Sequence, residues 1–164
     1  MARAPRCGML PQPTAAREGD YASERVASWM AAAVRAAEDP RTLERWSRAA
    51  GASPRTIQYG CAAAGVSALR CRDLARILRL FQRSRRGEAW DPCRQLDSDP
   101  RTIRRLMTAA GVSRRSPPDS LDALFSGQSL LTSPGLMSAL QRRLAEEGVG
   151  AADTGCPAVA EGHP

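Results

Sequence analysis

Two short stretches of this chain carry side chains suited to reading the edge of a nucleic-acid base. They are Arg55-Thr56-Ile57-Gln58-Tyr59 and Arg101-Thr102-Ile103-Arg104-Arg105, 46 positions apart. Arg can bridge guanine O6 and N7, Gln can pair with adenine, and Thr can touch a thymine methyl group. Both stretches sit inside a phrase that the chain writes three times: "DPRTLERWSRAAGAS" at 39–53, "SPRTIQYGCAAAGVS" at 53–67 and "DPRTIRRLMTAAGVS" at 99–113. Other chemistries are poorly supplied. The only histidine, His163, is one residue from the end, so no Ser-His-Asp or Cys-His arrangement is expected. No glycine-rich phosphate loop occurs. The five cysteines, at 7, 61, 71, 93 and 156, lack the two-residue spacing of zinc or redox motifs and read as single reduced thiols. The sequence therefore predicts no enzyme, no cofactor and no metal, and it points to no small-molecule ligand.

The elements that must position these side chains are helices. In each copy of the phrase a residue with a side-chain oxygen (Asp39, Ser53, Asp99) precedes a proline, the pattern of a helix cap followed by Pro at the first helical position. Gly51, Gly65 and Gly111 then mark the helix ends. Copies one and two abut, so helices over Pro40–Ala50 and Pro54–Ala64 with a Gly-containing turn between them fit a helix-turn-helix unit. The stretch 68–85 predicts one continuous helix of about 27 Å at 1.5 Å per residue. Its Leu74, Ile77, Leu78 and Phe81 share a face, while Arg72, Arg76, Arg79, Arg83 and Arg86 share another. A short helix in "AWDPCRQL", a turn at Asp97-Ser98 and the helix of the third copy form a second helix-turn-helix. The predicted fold is thus all-α: two helix-turn-helix units joined by a long helix, plus short C-terminal helices.

The expected layout is a disordered arm at 1–19, a two-unit domain at 20–115, a helical extension at 116–148 and a disordered tail at 149–164. The first helix is expected from Asp20 to Glu38, with Val26, Trp29, Met30, Ala33, Val34 and Ala37 forming its apolar stripe. Trp46, Ile77, Leu78, Phe81 and Trp90 complete the predicted core. All 24 basic residues are Arg, and the chain has no Lys and no Asn. That bias matches GC-rich codons, which alone would enrich Arg and Ala. The charge is nonetheless concentrated: residues 39–115 hold 17 Arg against seven acids, while the rest of the chain holds seven Arg against ten acids. A basic middle between mildly acidic ends points to a polyanionic partner. The longest apolar run is six residues, Trp29 to Val34, far short of a membrane span, and the start lacks a signal-peptide pattern. A cytoplasmic location is expected.

The segments "TLERWSRAAGASPRTIQYGCAAAGVSALRCRDLARILRLF" and "QLDSDPRTIRRLMTAAGVS" resemble the DNA-binding domain of AraC/XylS-type transcription regulators. The first is similar to the family's Leu-x-x-x-Ala-x-x-x-Gly-x-Ser-x-x-x-Leu pattern, followed by Gly-x-Ser and a linker helix. The second has Ser98-Asp99 where the family begins its second recognition helix. The resemblance covers about 39–113, under half of the chain. It departs from the family where Tyr59-Gly60-Cys61 and Arg105-Leu106-Met107 replace Arg-x-Phe, and where Leu96-Asp97 replaces Gly-Phe. The glycine also follows the Ile by eight positions rather than nine, at Gly65 and Gly111. The resemblance implies a bacterial, sequence-specific regulator bound to double-stranded DNA. Base contacts would come from Arg55, Thr56, Gln58, Tyr59, Arg101, Thr102, Arg104 and Arg105. Phosphate contacts would come from Arg45, Arg48, Arg70, Arg72, Arg76 and Arg79. The rival expectation is a helical interaction module that partners another regulator and has lost base reading. Residues 119–147 are the expected surface for that partner or for self-association.

Overall fold

The computed structural model describes residues 15–149, with side chains described for 19–146. Those residues form eight helices and no strand: α1 (Ala15–Arg35), α2 (Leu43–Ala50), α3 (Pro54–Ala63), α4 (Ala68–Arg85), α5 (Pro92–Gln95), α6 (Pro100–Ala109), α7 (Leu121–Gly127) and α8 (Pro134–Val149). The fold is all-α, as the periodicity predicts. No helix among the described residues is long and apolar enough to cross a membrane. Residues 15–19, expected in the arm, belong to α1. Residues 1–14, the rest of that arm, and the tail at 150–164 lie outside the described residues.

α1 is the hub, packing against α2, α3, α4 and α8. Val26, Ala27, Met30, Ala33 and Val34 form its buried stripe, and Trp29 packs against the core from a half-exposed position. Trp46 is wholly buried on α2, and its indole N–H donates to the Trp29 carbonyl at 2.9 Å. α8 lies along α1 with Leu136, Ala139, Leu140 and Leu144 buried in the same apolar cluster. Arg142 and Arg143 of α8 pair with Glu24 of α1. The apolar side of the segment expected to dock a partner is thus turned onto this chain's own core.

The first copy of the phrase starts its helix later than its Asp-Pro predicts. Thr42, not Asp39, is the cap of α2: its backbone is extended and its hydroxyl accepts the Arg45 N–H at 3.2 Å. Asp39 is instead buried, at 6% exposure, and its carboxylate is used elsewhere. The other two copies follow the expected pattern. Ser53 caps α3 through the Thr56 N–H at 3.0 Å, and Asp99 caps α6 through the Arg101 and Thr102 N–H groups, both at 3.0 Å. The turn from α2 to α3 needs Gly51 in the left-handed region, at φ 62°.

α4 has the expected ends but not the expected environment. Every residue from Leu74 to Phe81 is buried, including Arg76 at 2% and Arg79 at 4%. An amphipathic helix with a solvated arginine stripe is therefore the wrong picture of its middle. The stripe can be buried because each guanidinium meets an anion or a helix end, which offsets its loss of water.

Candidate nucleic-acid interface

α3 and α6 present their expected side chains on similar frames. Ile57 and Ile103, at the same point of the repeated phrase, are buried at 0% and 1% exposure. These two residues anchor the helices, so their neighbours face outward. Arg55, Gln58 and Tyr59 are exposed on α3, with Thr56 half-buried. Arg101, Thr102, Arg104 and Arg105 are exposed on α6. The two helices differ in how their cations are held. Arg55 donates from Nε and Nη2 to the Tyr59 hydroxyl at 3.2 and 2.9 Å. Its guanidinium carbon also lies 5.3 Å from the centre of the Tyr59 ring, a cation–π distance. Thr56 turns its hydroxyl to Ser53, 2.8 Å away. On α6, Arg101, Arg104 and Arg105 make no hydrogen bond or ion pair with the described residues. Thr102 and Arg105 line a cleft against α4, so α6 divides its polar groups between that cleft and open solvent.

The expected phosphate contacts separate into three groups. Arg48 and Arg70 are exposed and make no hydrogen bond or ion pair with the described residues. Arg45 and Arg72 carry partners: Arg45 meets Asp97 at 3.3 Å, and Arg72 meets Asp73 at 2.6 Å. Arg76 and Arg79, expected at phosphates, are instead almost wholly buried, at 2% and 4% exposure, and spend most of their donors on structural partners. Arg76 grips both oxygens of Asp39, at 2.8 and 2.6 Å, and also donates to Ser98 at 2.8 Å. The backbone N–H of Asp97 adds a bond to Asp39 at 2.9 Å. Arg79 donates to the carbonyls of Ala36 and Ala37 at 2.9 and 2.5 Å, just past the end of α1. It thereby satisfies acceptors that the helix leaves unpaired and ends α1 short of Glu38. Burial, with some help from Arg83, pulls the Arg79 guanidinium below its ordinary value.

The chain matches no protein-family model, no curated protein and no solved structure.

Two features of this face went unread in the sequence. Gly60 lies in the middle of α3, and a Cβ there would stand 2.4 Å from the Trp29 ring. Glycine thus lets α3 sit close on α1. An isolated glycine inside a helical pattern is a usable sign of such close approach. Cys61 of α3 and Cys71 of α4, expected as separate thiols, are both buried and close enough to influence each other's titration. The neighbouring Cys61 thiol and burial hold the Cys71 thiol well above its ordinary range. Their separation of ten positions carries no motif, so spacing alone does not reveal the contact.

Proposed function

We propose that the protein binds double-stranded DNA sequence-specifically and acts as a bacterial transcription regulator of the AraC/XylS kind. In this reading α2–α3 and α5–α6 are two helix-turn-helix units, α3 and α6 enter the major groove, and α4 spaces them. The observation that carries the proposal is the shared frame of α3 and α6. Each has a capped start, a buried Ile, and exposed Arg, Gln, Thr or Tyr side chains in its first two turns. A major groove about 12 Å wide admits one helix whose N-terminal residues meet the base edges. A spacer of about 27 Å suits reading helices set one DNA turn, roughly 34 Å, apart. Of the six arginines expected at phosphates, Arg48 and Arg70 are exposed and free of hydrogen bonds and ion pairs with the described residues. Selection of bound duplexes from a random pool, followed by mobility shifts across a salt series, tests the proposal. An enriched motif that outcompetes random DNA supports it. Failure to enrich any motif above non-specific binding sinks it.

A second reading, a helical module that binds another regulator, is favoured by one observation. Arg45, Arg72, Arg76 and Arg79 spend their charge on Asp97, Asp73, Asp39 and the end of α1, which leaves fewer cations for a DNA backbone.

A further inference from the structure

Between α4 and α6 lies a half-enclosed cleft with a volume of about 250 Å³. One wall is polar, formed by Arg72, Asp73, Arg76, Thr102 and Arg105. The other is apolar, formed by Leu106, Ala109 and Leu130. We propose that this cleft binds a small organic carboxylate, with its head on the arginine wall and a short apolar body against Leu106 and Leu130. DNA binding is not needed for this inference.

Charge and hydrogen bonding both favour a single anionic head. The guanidinium groups of Arg72 and Arg76 are balanced by Asp73 and Asp39, while Arg105 has no partner among the described residues. The cleft therefore carries an excess of one positive charge, matched to one carboxylate. Donors also remain. Arg76 commits Nε and Nη2 to Asp39 and Ser98, which leaves Nη1 without a protein acceptor. That side chain is 2% exposed and cannot turn away to find water elsewhere. Arg72 likewise bonds Asp73 through Nε and Nη2 only. Charged donors held in a fixed fork suit a carboxylate. Leu106 and Leu130, at 5% and 7% exposure, add an apolar surface that inorganic anions cannot use. The depth of Arg76 also argues against a DNA phosphate as occupant, because a duplex backbone cannot enter a cleft of this size.

The test is a titration of the isotopically labelled full chain with sodium hexanoate at fixed ionic strength, followed through backbone amide shifts. Hexanol and inorganic phosphate serve as parallel probes. Saturable shifts are expected at 72–76, 102–109 and 130, with a dissociation constant of about 1 mM or tighter. Hexanol, which lacks the charge, and phosphate, which lacks the apolar body, should bind more weakly by about fivefold or more. Arg105→Gln should weaken hexanoate about tenfold or more, since it removes a charged donor. Arg105 is exposed and unpaired, so this variant keeps its fold, which its amide spectrum verifies. Shifts spread over the other arginine surfaces, equal binding of hexanol or phosphate, or an unchanged affinity in Arg105→Gln would each overturn the proposal.

Discussion

Asp39 and Arg76, 37 positions apart, form a buried two-point ion pair that ties three parts of the chain together. Asp39 stands in the link before α2, Arg76 in the middle of α4, and Ser98, held by the same guanidinium, before α6. Because both side chains are almost fully buried, Arg76 at 3% and Asp39 at 4% exposure, losing one strands the other. Asp39→Ala is expected to destabilise the fold by about 3–5 kcal/mol, the range for an uncompensated buried charge. The double variant Asp39→Leu/Arg76→Leu should cost less than the two single leucine changes combined, because no charge is left without water. Urea unfolding followed by circular dichroism measures all of these. Additive losses, or a single change that costs under about 1 kcal/mol, would show that the pair is not a linchpin.

Gly60 supplies a second stability prediction, with opposing terms. Alanine in a helix interior normally gains about 1 kcal/mol over glycine. At this position the new Cβ would meet the Trp29 ring at 2.4 and 2.7 Å. The ring is a rigid plate with Arg25 stacked 5.0 Å from its centre, so it must tilt as a whole. Overpacking of this kind costs about 1–3 kcal/mol, and Gly60→Ala is expected to be net destabilising. Gly19→Ala in α1 is the control, since nothing lies within 4 Å of its added Cβ. That change should stabilise by roughly 0.5–1 kcal/mol. If the two substitutions move the melting temperature in the same direction, the steric account of Gly60 is wrong.

These two sites also show which parts of the fold the sequence makes legible. Local signals set by the residue itself read well: the caps Ser53 and Asp99, and both ends of α4, lie where chain chemistry places them. Signals that depend on a distant partner do not. Asp39-Pro40 carries the same cap chemistry as Asp99-Pro100, yet Asp39 faces a guanidinium from α4 and gives up the cap to Thr42. The arginine stripe of α4 has the period of a solvated face. Whether an arginine is solvated or buried depends on an acid or a carbonyl arriving from elsewhere, and periodicity does not encode that. For the candidate site, the outward face of α3 and α6 follows from Ile57 and Ile103. The convergence of Thr102 and Arg105 with Arg72 and Arg76 is purely tertiary.

Asp99 gives a pH dependence with a definite sign. The Thr102 side chain, then the Thr102 and Arg101 backbone N–H groups, hold its carboxyl below the ordinary Asp range. The folded state therefore binds this proton less readily than the unfolded chain. Its contribution is complete above the ordinary Asp value of about 3.9 and is lost as pH falls through the lower folded-state value. Asn also caps helices but cannot ionise. The stability gap between the native protein and Asp99→Asn should be largest near neutral pH and shrink steadily on acidification below about 4. A gap that stays constant over that range would remove Asp99 from the acid sensitivity of α6.

The proposed regulator reading makes a sharper demand, because Arg55 and Arg70 should fail differently. Arg55 projects from the first turn of α3, where the Tyr59 hydroxyl and ring hold its guanidinium in place. Arg70 is exposed near the start of α4 and carries no partner among the described residues. If α3 reads bases, Arg55→Ala should relax preference at one position of the selected site, by about 1–3 kcal/mol against its competitors. Tyr59→Phe, which removes the hydroxyl and keeps the ring, should relax the same position more weakly. Arg70→Ala should leave the preferred sequence unchanged, weaken all duplexes alike and lower the salt slope by about one. Competition shifts with single-base variants of the selected duplex, repeated at several salt concentrations, separate these outcomes. Identical effects of Arg55→Ala and Arg70→Ala on every sequence would mean that α3 meets only the DNA backbone.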